Sequence, residues 1–399
     1  MKPLDTVRER LAALDQQGLH RVRRISDSPC GVRPTVDGKS VRAFCSNDYL
    51  GLAADPRIAQ ALQEGVERFG VGSGASHLIS GHHHVHARLE ERLASFLDDH
   101  IPGVAALYFS TGYMANVGVL AALAALDEDV EIFSEALNHA SLIDGMWQAR
   151  APVRVYGHCD VVALESMLSA STANVKVVVT DSVFSMDGDL APLPQMLALC
   201  EKFGAWLLVD DAHGFGTLGS RGHGALEHFS LRSDHLIYVG TLGKAAGVGG
   251  AFVAAEAGMI DWLVQRARSY VYSTASPPAL AHALLTSLDI IEGPDGAARR
   301  QRLQAHIKVL DRELALKQWQ RLESATAIQP ILIGANEQAT LAGKRLHDAG
   351  YWVPAIRPPT VPPGTARLRI TLSAAHDEAD VVELARVINR IEDRHKDMS

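Results

Sequence analysis

Basic residues are in short supply: 38 lysines and arginines stand against 46 aspartates and glutamates, a formal net charge of -8. Such a chain exerts no general electrostatic pull on nucleic acid or an anionic membrane, and the short basic stretch "HRVRR" (His20 to Arg24) is a local exception. Cysteine is scarce too. Cys30, Cys45, Cys159 and Cys200 are far apart and form no CxxC pair, which argues against a disulfide framework or a zinc knuckle and fits a reducing cytoplasm. Long apolar runs are missing as well. The longest uncharged stretch, Val104 to Leu126, is interrupted by Ser110, Thr111, Gly112 and Asn116, so it reads as strand, glycine turn and buried helix rather than as a membrane span. The first 18 residues, "MKPLDTVRERLAALDQQG", have the apolar spacing of a short amphipathic helix with charges throughout, without the continuous apolar core of a secretory signal. There is no internal repeat, low-complexity segment or flexible linker, and the proline-rich "IRPPTVPPGT" reads as a rigid loop.

What is present is a chain of 399 residues, 47% hydrophobic and 21% charged, long enough for more than one domain and suited to a small-molecule partner. From about residue 100, the apolar runs "AALYF", "VRVYG", "VKVVVTD", "AWLLVDD", "HLIYVG" and "GAFVAA" alternate with segments of helical spacing, such as "LAPLPQMLALCEKFG". That alternation predicts an α/β fold with a mostly parallel sheet covered by helices on both faces. The pattern changes after about Ile290, where a long arginine-rich helix and the strands "AIQPILIG" and "RLRITLSAAH" predict a smaller C-terminal α+β domain. The expected divisions are an N-terminal arm (1–45), a large cofactor-binding domain (46–290) and the small domain (291–399).

Ligands of open α/β sheets collect beyond the carboxyl ends of the strands, so polar residues there carry the most information. In "AWLLVDDAHGFG", Asp210 and Asp211 alternate to opposite faces and His213 follows; the plain alternative is a helix cap and a surface acid. "VVVTDSVFSMDGD" places Ser185 in a glycine-bounded turn, and "IYVGTLGKA" places Thr241 and Lys244 after a strand. Lys244, amid small residues, has three readings: a phosphate grip, a covalent bond to a carbonyl cofactor, or a solvated loop cation. A phosphate loop needs G-x-x-x-x-G-K-[ST], whereas Tyr238 stands six residues before this lysine and Ala245 after it, so that reading fails. A covalent cofactor needs a lysine amine, a carboxylate beneath a pyridine nitrogen and donors for a phosphate. Lys244, Asp210, and the backbone N–H groups of Gly112 and Tyr113 at a helix start can meet those needs.

The ordered succession "SNDYLGL", "GSGASHLISG", "STGYMAN", "LNHASLIDG", "VFSMDGD", "VDDAHGFGTLG", "GTLGKA" and "YSTASPP" resembles the α-oxoamine synthases, pyridoxal 5'-phosphate enzymes of the aspartate-aminotransferase fold (fold type I), over nearly the whole chain. The resemblance implies that Lys244 anchors the cofactor and serves as base, that His139 stacks on the cofactor ring, and that Asp210 binds its nitrogen. His213 and Ser185 would meet its phenolic oxygen and Thr241 its phosphate, with Thr274 lent to the neighbouring subunit's phosphate in a homodimer. Asp211 is then structural. Among substrate contacts, the resemblance implies Asn47, Thr360 for the acyl substrate, and Arg369 for the amino-acid carboxylate. Arg367 is the alternative to Arg369, with strand alternation expected to turn only one inward. Arg21 matches the residue at the acyl end, with Arg23 and Arg24 as alternatives.

Within the family, "AIQPILIG" and "GYWVPAIRPPTVPPGTARLRITLSAAH" resemble the members of biotin synthesis that condense L-alanine with a pimeloyl thioester, carried on CoA or acyl carrier protein, with loss of CO₂. Glycine C-acetyltransferase, with which "EALNHASLIDG" is shared, or another α-oxoamine synthase is the alternative. A catalytically silent scaffold subunit would have lost Lys244 or Asp210, and both are present. In "GHHHVHARLEERL", His82, His83, His84 and His86 lack the acid or cysteine that completes a usual metal spacing, so no metal is expected and some of these side chains are assigned to a substrate channel or to solvent.

Overall fold

The apolar runs pair into one sheet that contains one strand more than those runs display. In the computed structural model, which describes residues 3–395, this sheet comprises β1 (Val104–Phe109), β2 (Val130–Glu135), β3 (Val153–Tyr156), β4 (Val175–Asp181), β5 (Ala205–Asp210), β6 (Leu236–Thr241) and β7 (Ala251–Glu256). The spatial order is β1-β7-β6-β5-β4-β2-β3. β7 runs antiparallel to both β1 and β6, and every other pairing is parallel. Strands covered on both faces read as continuous apolar runs, as in Val177 to Val179 and Leu207 to Val209, all of them buried.

β2 breaks that rule. Its sequence "VEIFSE" contains two glutamates that are nonetheless buried. Each has a partner: Glu131 pairs with Arg154 at 2.5 Å and accepts from Ser171 Oγ, and Glu135 pairs with His158 at 2.8 Å. Such pairing offsets part of the desolvation penalty that otherwise keeps acids out of a core.

Four helices matter for the site: α1 (His84–Ser95), α2 (Gly112–Leu123), α3 (Ala140–Ala149) and α4 (Pro278–Glu292). α2 is apolar nearly all round and buried along most of its length, as a helix inside a layered core should be. It follows β1 directly, and Thr111 starts it by accepting the Met114 N–H at 3.1 Å. These elements lie in a compact unit formed by residues 50–185 and 189–301.

A second unit comprises residues 1–49, 186–188 and 302–399. Its four-stranded antiparallel sheet runs Gln320–Arg321, β8 (Ile328–Gly334), β9 (Ala366–Thr371), Ala355–Ile356. The arm contributes a helix, Pro3–Gln16, with no buried residue, and then Arg42–Ala43, which pairs in parallel with Tyr351–Trp352. Met1, Lys2 and the last four residues lie outside the described residues. The tripeptide 186–188 belongs here because Gly188 accepts from Ser324 Oγ at 2.8 Å and Thr326 Oγ1 at 3.0 Å.

Candidate active site

The carboxyl ends of β4, β5 and β6 are neighbours in the sheet, so whatever follows them converges. Lys244 Nζ lies 2.9 Å from His213 Nε2, which joins the loop after β6 to the turn after β5. Asp210 ends β5 and is buried. Its Oδ1 accepts from the Ala212 N–H at 3.0 Å, and its Oδ2 accepts from Asn116 Nδ2 at 2.6 Å. Asn116 also donates to Ser141 Oγ at 2.9 Å, and that hydroxyl lies 2.7 Å from His139 Nδ1. One hydrogen-bonded chain therefore runs from the acid to the histidine that starts α3.

His139 is further fixed by its backbone N–H, which donates to Asp181 Oδ2 at 2.6 Å at the end of β4. The surrounding protein and the Lys244 charge hold its pKa below the usual imidazole value, while Asp210 opposes the shift. Asp181 is raised well above the carboxylate range by complete burial and by the nearby Asp210 charge. Asp211 points the other way from Asp210 and is fully engaged, accepting from Ser182 Oγ, Tyr238 Oη at 2.6 Å and the Ala225 N–H at 2.7 Å. Burial pushes its pKa up to about 6 against those bonds.

The start of α2 completes this region. A Cβ placed on Gly112 would lie 3.8 Å from Thr241 Oγ1, so the helix start and the end of β6 adjoin. Thr111 takes the Met114 N–H, and Ala115 bonds to the Thr111 carbonyl. The N–H groups of Gly112 and Tyr113 have no acceptor among the described residues, which is the donor pair an anion at a helix N-terminus requires. The Tyr113 hydroxyl donates to Asp144. Ser185 lies four residues beyond β4, in a turn closed by the Val183–Leu190 bridge, and Thr274 is exposed and bridges Ser76.

In the second unit, Arg369 Nη1 donates to Thr371 Oγ1 at 2.9 Å, and both its terminal nitrogens lie 3.4 Å from Asn47 Oδ1. The expectation that alternation separates Arg367 from Arg369 is incorrect: residues two apart in a strand share a face. Their partners separate them instead. Arg367 is tied to Asp187 Oδ1 at 2.6 Å and to the Met186 carbonyl at 3.1 Å, a structural clamp on residues 186–188. Arg21, Arg23 and Arg24 are all exposed, and Arg24 donates to Asp37 Oδ2 at 3.0 Å. Thr360 is exposed, its N–H bonded to the Arg357 carbonyl at 3.1 Å.

In the histidine-rich segment, His82 and His84 are exposed. His86 is buried and faces neither a channel nor solvent: its Nδ1 accepts the His83 N–H and its Nε2 donates to the Ser276 carbonyl, each at 3.0 Å. With His77 and His82 it forms a group whose ring nitrogens approach within 4.8 Å, but with both His86 nitrogens in use only two rings have a lone pair to offer. Burial pulls the His77 pKa to about 3 and the His86 pKa to about 4.

Residues 39–388 match the family described as aminotransferase class I and II. The chain is 61% identical over 384 residues to the 8-amino-7-oxononanoate synthase of Janthinobacterium sp. (strain Marseille), covering 96% of this chain and 97% of that protein. Among solved structures, it is similar to a serine palmitoyltransferase variant from S. paucimobilis with a bound PLP–myriocin aldimine (TM-score 0.89, 28% identity, 98% of this chain and 97% of that one). It is also similar to 8-amino-7-oxononanoate synthase from Francisella tularensis (TM-score 0.75, 27% identity, 89% and 98%). The chain belongs to the α-oxoamine synthases of the class I and II aminotransferase family. It is a pyridoxal-phosphate-dependent acyltransferase of fold type I.

The residues present fit that cofactor: a strand-end lysine amine, a buried carboxylate whose geometry is held by Asn116, and two unsatisfied N–H donors beside Thr241. Asn116, Ser141 and Asp181 are the members of this region that sequence reasoning passes over, although "STGYMAN" and "LNHASL" contain two of them. The small neighbours of Lys244 are explained by packing. Ala245 and Ala246 are buried in the core, and a Cβ on Gly247 (φ +71°) would stand 2.5 Å from the Leu52 carbonyl carbon. A Cβ on Gly243 would meet only the Gly249 Cα, at an ordinary contact distance of 3.9 Å.

Proposed function

We propose that the enzyme is an 8-amino-7-oxononanoate synthase, condensing L-alanine with a pimeloyl thioester of CoA or acyl carrier protein. The bond between alanine Cα and its carboxylate breaks to release CO₂, a bond forms from Cα to the acyl carbon, and the carbon–sulfur bond breaks to release the thiol. The observation that carries the reading is the meeting of Lys244, His213 and Asp210 at adjacent strand ends in a chain 61% identical to such a synthase.

Pyridoxal phosphate, held by Lys244, supplies an electron sink for the bonds made and broken at the alanine Cα. Lys244 would be the covalent anchor, and its amine, when free, would be the base that moves the Cα proton. Asp210, oriented by Asn116, holds a proton on the cofactor's ring nitrogen, and His139 stacks on the ring. His213 and Ser185 bind the phenolic oxygen. Gly112 and Tyr113 N–H groups, with Thr241, hold the phosphate. Arg369 and Asn47 receive the alanine carboxylate, where a planar guanidinium gives two parallel bonds. Thr360 and Arg21 meet the acyl substrate, and the engagement of Arg24 with Asp37 favours Arg21 or Arg23 for that task.

The working form is proposed to be a homodimer in which Thr274 of one subunit reaches the other's phosphate. Supporting this, Val71, Ile79 and Tyr272 are 79%, 81% and 72% exposed, and the Ser76–Thr274 bridge pairs the two segments that carry them. No helix among the described residues is long and apolar enough to cross a membrane. With all four cysteines free, the cytoplasm is the proposed site of action.

Offering the purified holoenzyme alanine or glycine with pimeloyl-CoA or acetyl-CoA tests the substrates. Equal release of CO₂ and thiol from alanine with pimeloyl-CoA is expected. Turnover of glycine with acetyl-CoA, and none of the alanine pair, would assign the enzyme instead as a glycine acetyltransferase.

A further inference from the structure

Outside the proposed cofactor site, a dense polar arrangement is centred on His158, in the loop that leaves β3. Both ring nitrogens are engaged by carboxylates: Nδ1 lies 2.8 Å from Glu135 Oε1, and Nε2 lies 2.8 Å from Asp189 Oδ2. Ionised carboxylates only accept hydrogen bonds, so the ring must carry both protons to make both contacts. The ring also stands edge-on to Phe184 at 4.5 Å, with Cys159 Sγ 3.8 Å from its nitrogens. Glu135, Asp189 and Cys159 are the titratable groups facing it, and together they push its pKa up to about 12, Asp189 contributing most.

Each carboxylate continues toward a residue of the proposed site. Glu135, 2% exposed at the end of β2, accepts the Leu137 N–H through Oε2 and the Cys159 N–H through Oε1, and so shapes the loop that delivers His139 two residues later. Asp189 closes the turn that presents Ser185: its carbonyl accepts the Phe184 N–H at 3.1 Å, next to the Val183–Leu190 bridge. We infer that His158 is a positioning residue, an imidazolium clamp that fixes the His139 loop and the Ser185 turn relative to each other. The inference rests on the assignment of His139 and Ser185 to the cofactor. His158, Cys159 and Asp189 also have the composition of a cation site, with ligand atoms within 4.8 Å. A metal there would require Nε2 to lose the proton that it gives to Asp189, so clamp and metal site exclude one another.

The first measurement needs no cofactor. Nitrogen-15 NMR of histidine-labelled, cofactor-free protein should show both His158 nitrogens protonated from pH 6 to 9. Titration near pH 6.5, or a stoichiometric zinc content in the purified protein, would overturn the clamp. The second compares wild type with His158→Gln, Asp189→Asn and the double variant. Each single change is expected to move the pH midpoint of the bound cofactor's absorption band and to lower kcat by about 10- to 100-fold at similar KM. The double variant should lose no more than the worse single one, as coupled residues do. Folded variants with an unmoved midpoint and normal kcat would refute the proposal, and if His158→Gln does not fold, Asp189→Asn alone decides. Ser185→Ala run alongside separates the two readings: a band that ignores this change removes Ser185 from the cofactor, while the NMR result still decides the clamp.

Discussion

Asn116 donates to Asp210 Oδ2 at 2.6 Å from inside the core, with the same amide group reaching Ser141 Oγ at 2.9 Å. The acid proposed to hold the cofactor's ring nitrogen thus owes its orientation to a helix residue 94 positions earlier in the chain. Asn116→Ala removes a bond to a charged acceptor, worth about 1.5–3 kcal/mol. Cofactor affinity measured by equilibrium dialysis should fall about 10- to 150-fold, which is that energy converted. A change of less than about twofold would mean that Asp210 needs no such support.

Arg367 and Arg369 share a strand face but have different partners, so their replacements should fail differently. Arg367→Ala breaks the pair with Asp187, in which the arginine is 5% exposed, and should cost about 3 kcal/mol in thermal or urea denaturation. Arg369→Lys should raise the KM for alanine about tenfold or more, because lysine cannot make two parallel bonds to a carboxylate. The reverse assignment of effects would contradict the proposed roles.

The glycines around Lys244 give a matched comparison. Gly247→Ala forces a side chain into a φ of +71° and against the Leu52 backbone. The backbone conformation alone costs about 1–2 kcal/mol, and the contact adds to it. Gly243→Ala meets nothing nearer than the Gly249 Cα at 3.9 Å and should melt within a degree or two of wild type. Differential scanning calorimetry of both proteins checks the contrast.

The sheet was legible in the sequence wherever burial meant continuous apolar runs, and the site was legible wherever chemistry sat directly on a strand end. β2 was not, because Glu131 and Glu135 are buried through partners, Arg154 and His158, that come from other strands and loops. Asn116 reads as one more polar residue at a helix start until the fold brings it to Asp210. The split of residues 186–188 from their neighbours is equally invisible, since it depends on Arg367, Ser324 and Thr326 far along the chain. Pairings of this kind are tertiary facts, and local spacing carries no record of them.

His86 supplies a prediction in pH. Its folded-state pKa is depressed to about 4, so below the unfolded value near 6.5 the unfolded chain binds a proton that the folded one refuses. Its stabilising contribution is therefore complete above pH 6.5 and shrinks by about 1.4 kcal/mol per pH unit as pH falls toward 4. Buried acids such as Asp211 pull the opposite way over part of that range, so the informative quantity is the difference between wild type and His86→Gln. That difference should decline from pH 7 to pH 4.5 in urea unfolding, and a flat difference would contradict the neutral, buried ring.

The covalent role of Lys244 is the centre of the account, and borohydride reduction of the holoenzyme followed by peptide mapping tests it most directly. The predicted result is one reduced cofactor adduct per chain, on the peptide that contains Lys244, and none in Lys244→Ala. An adduct on a different lysine, or undiminished trapping by Lys244→Ala, would contradict it.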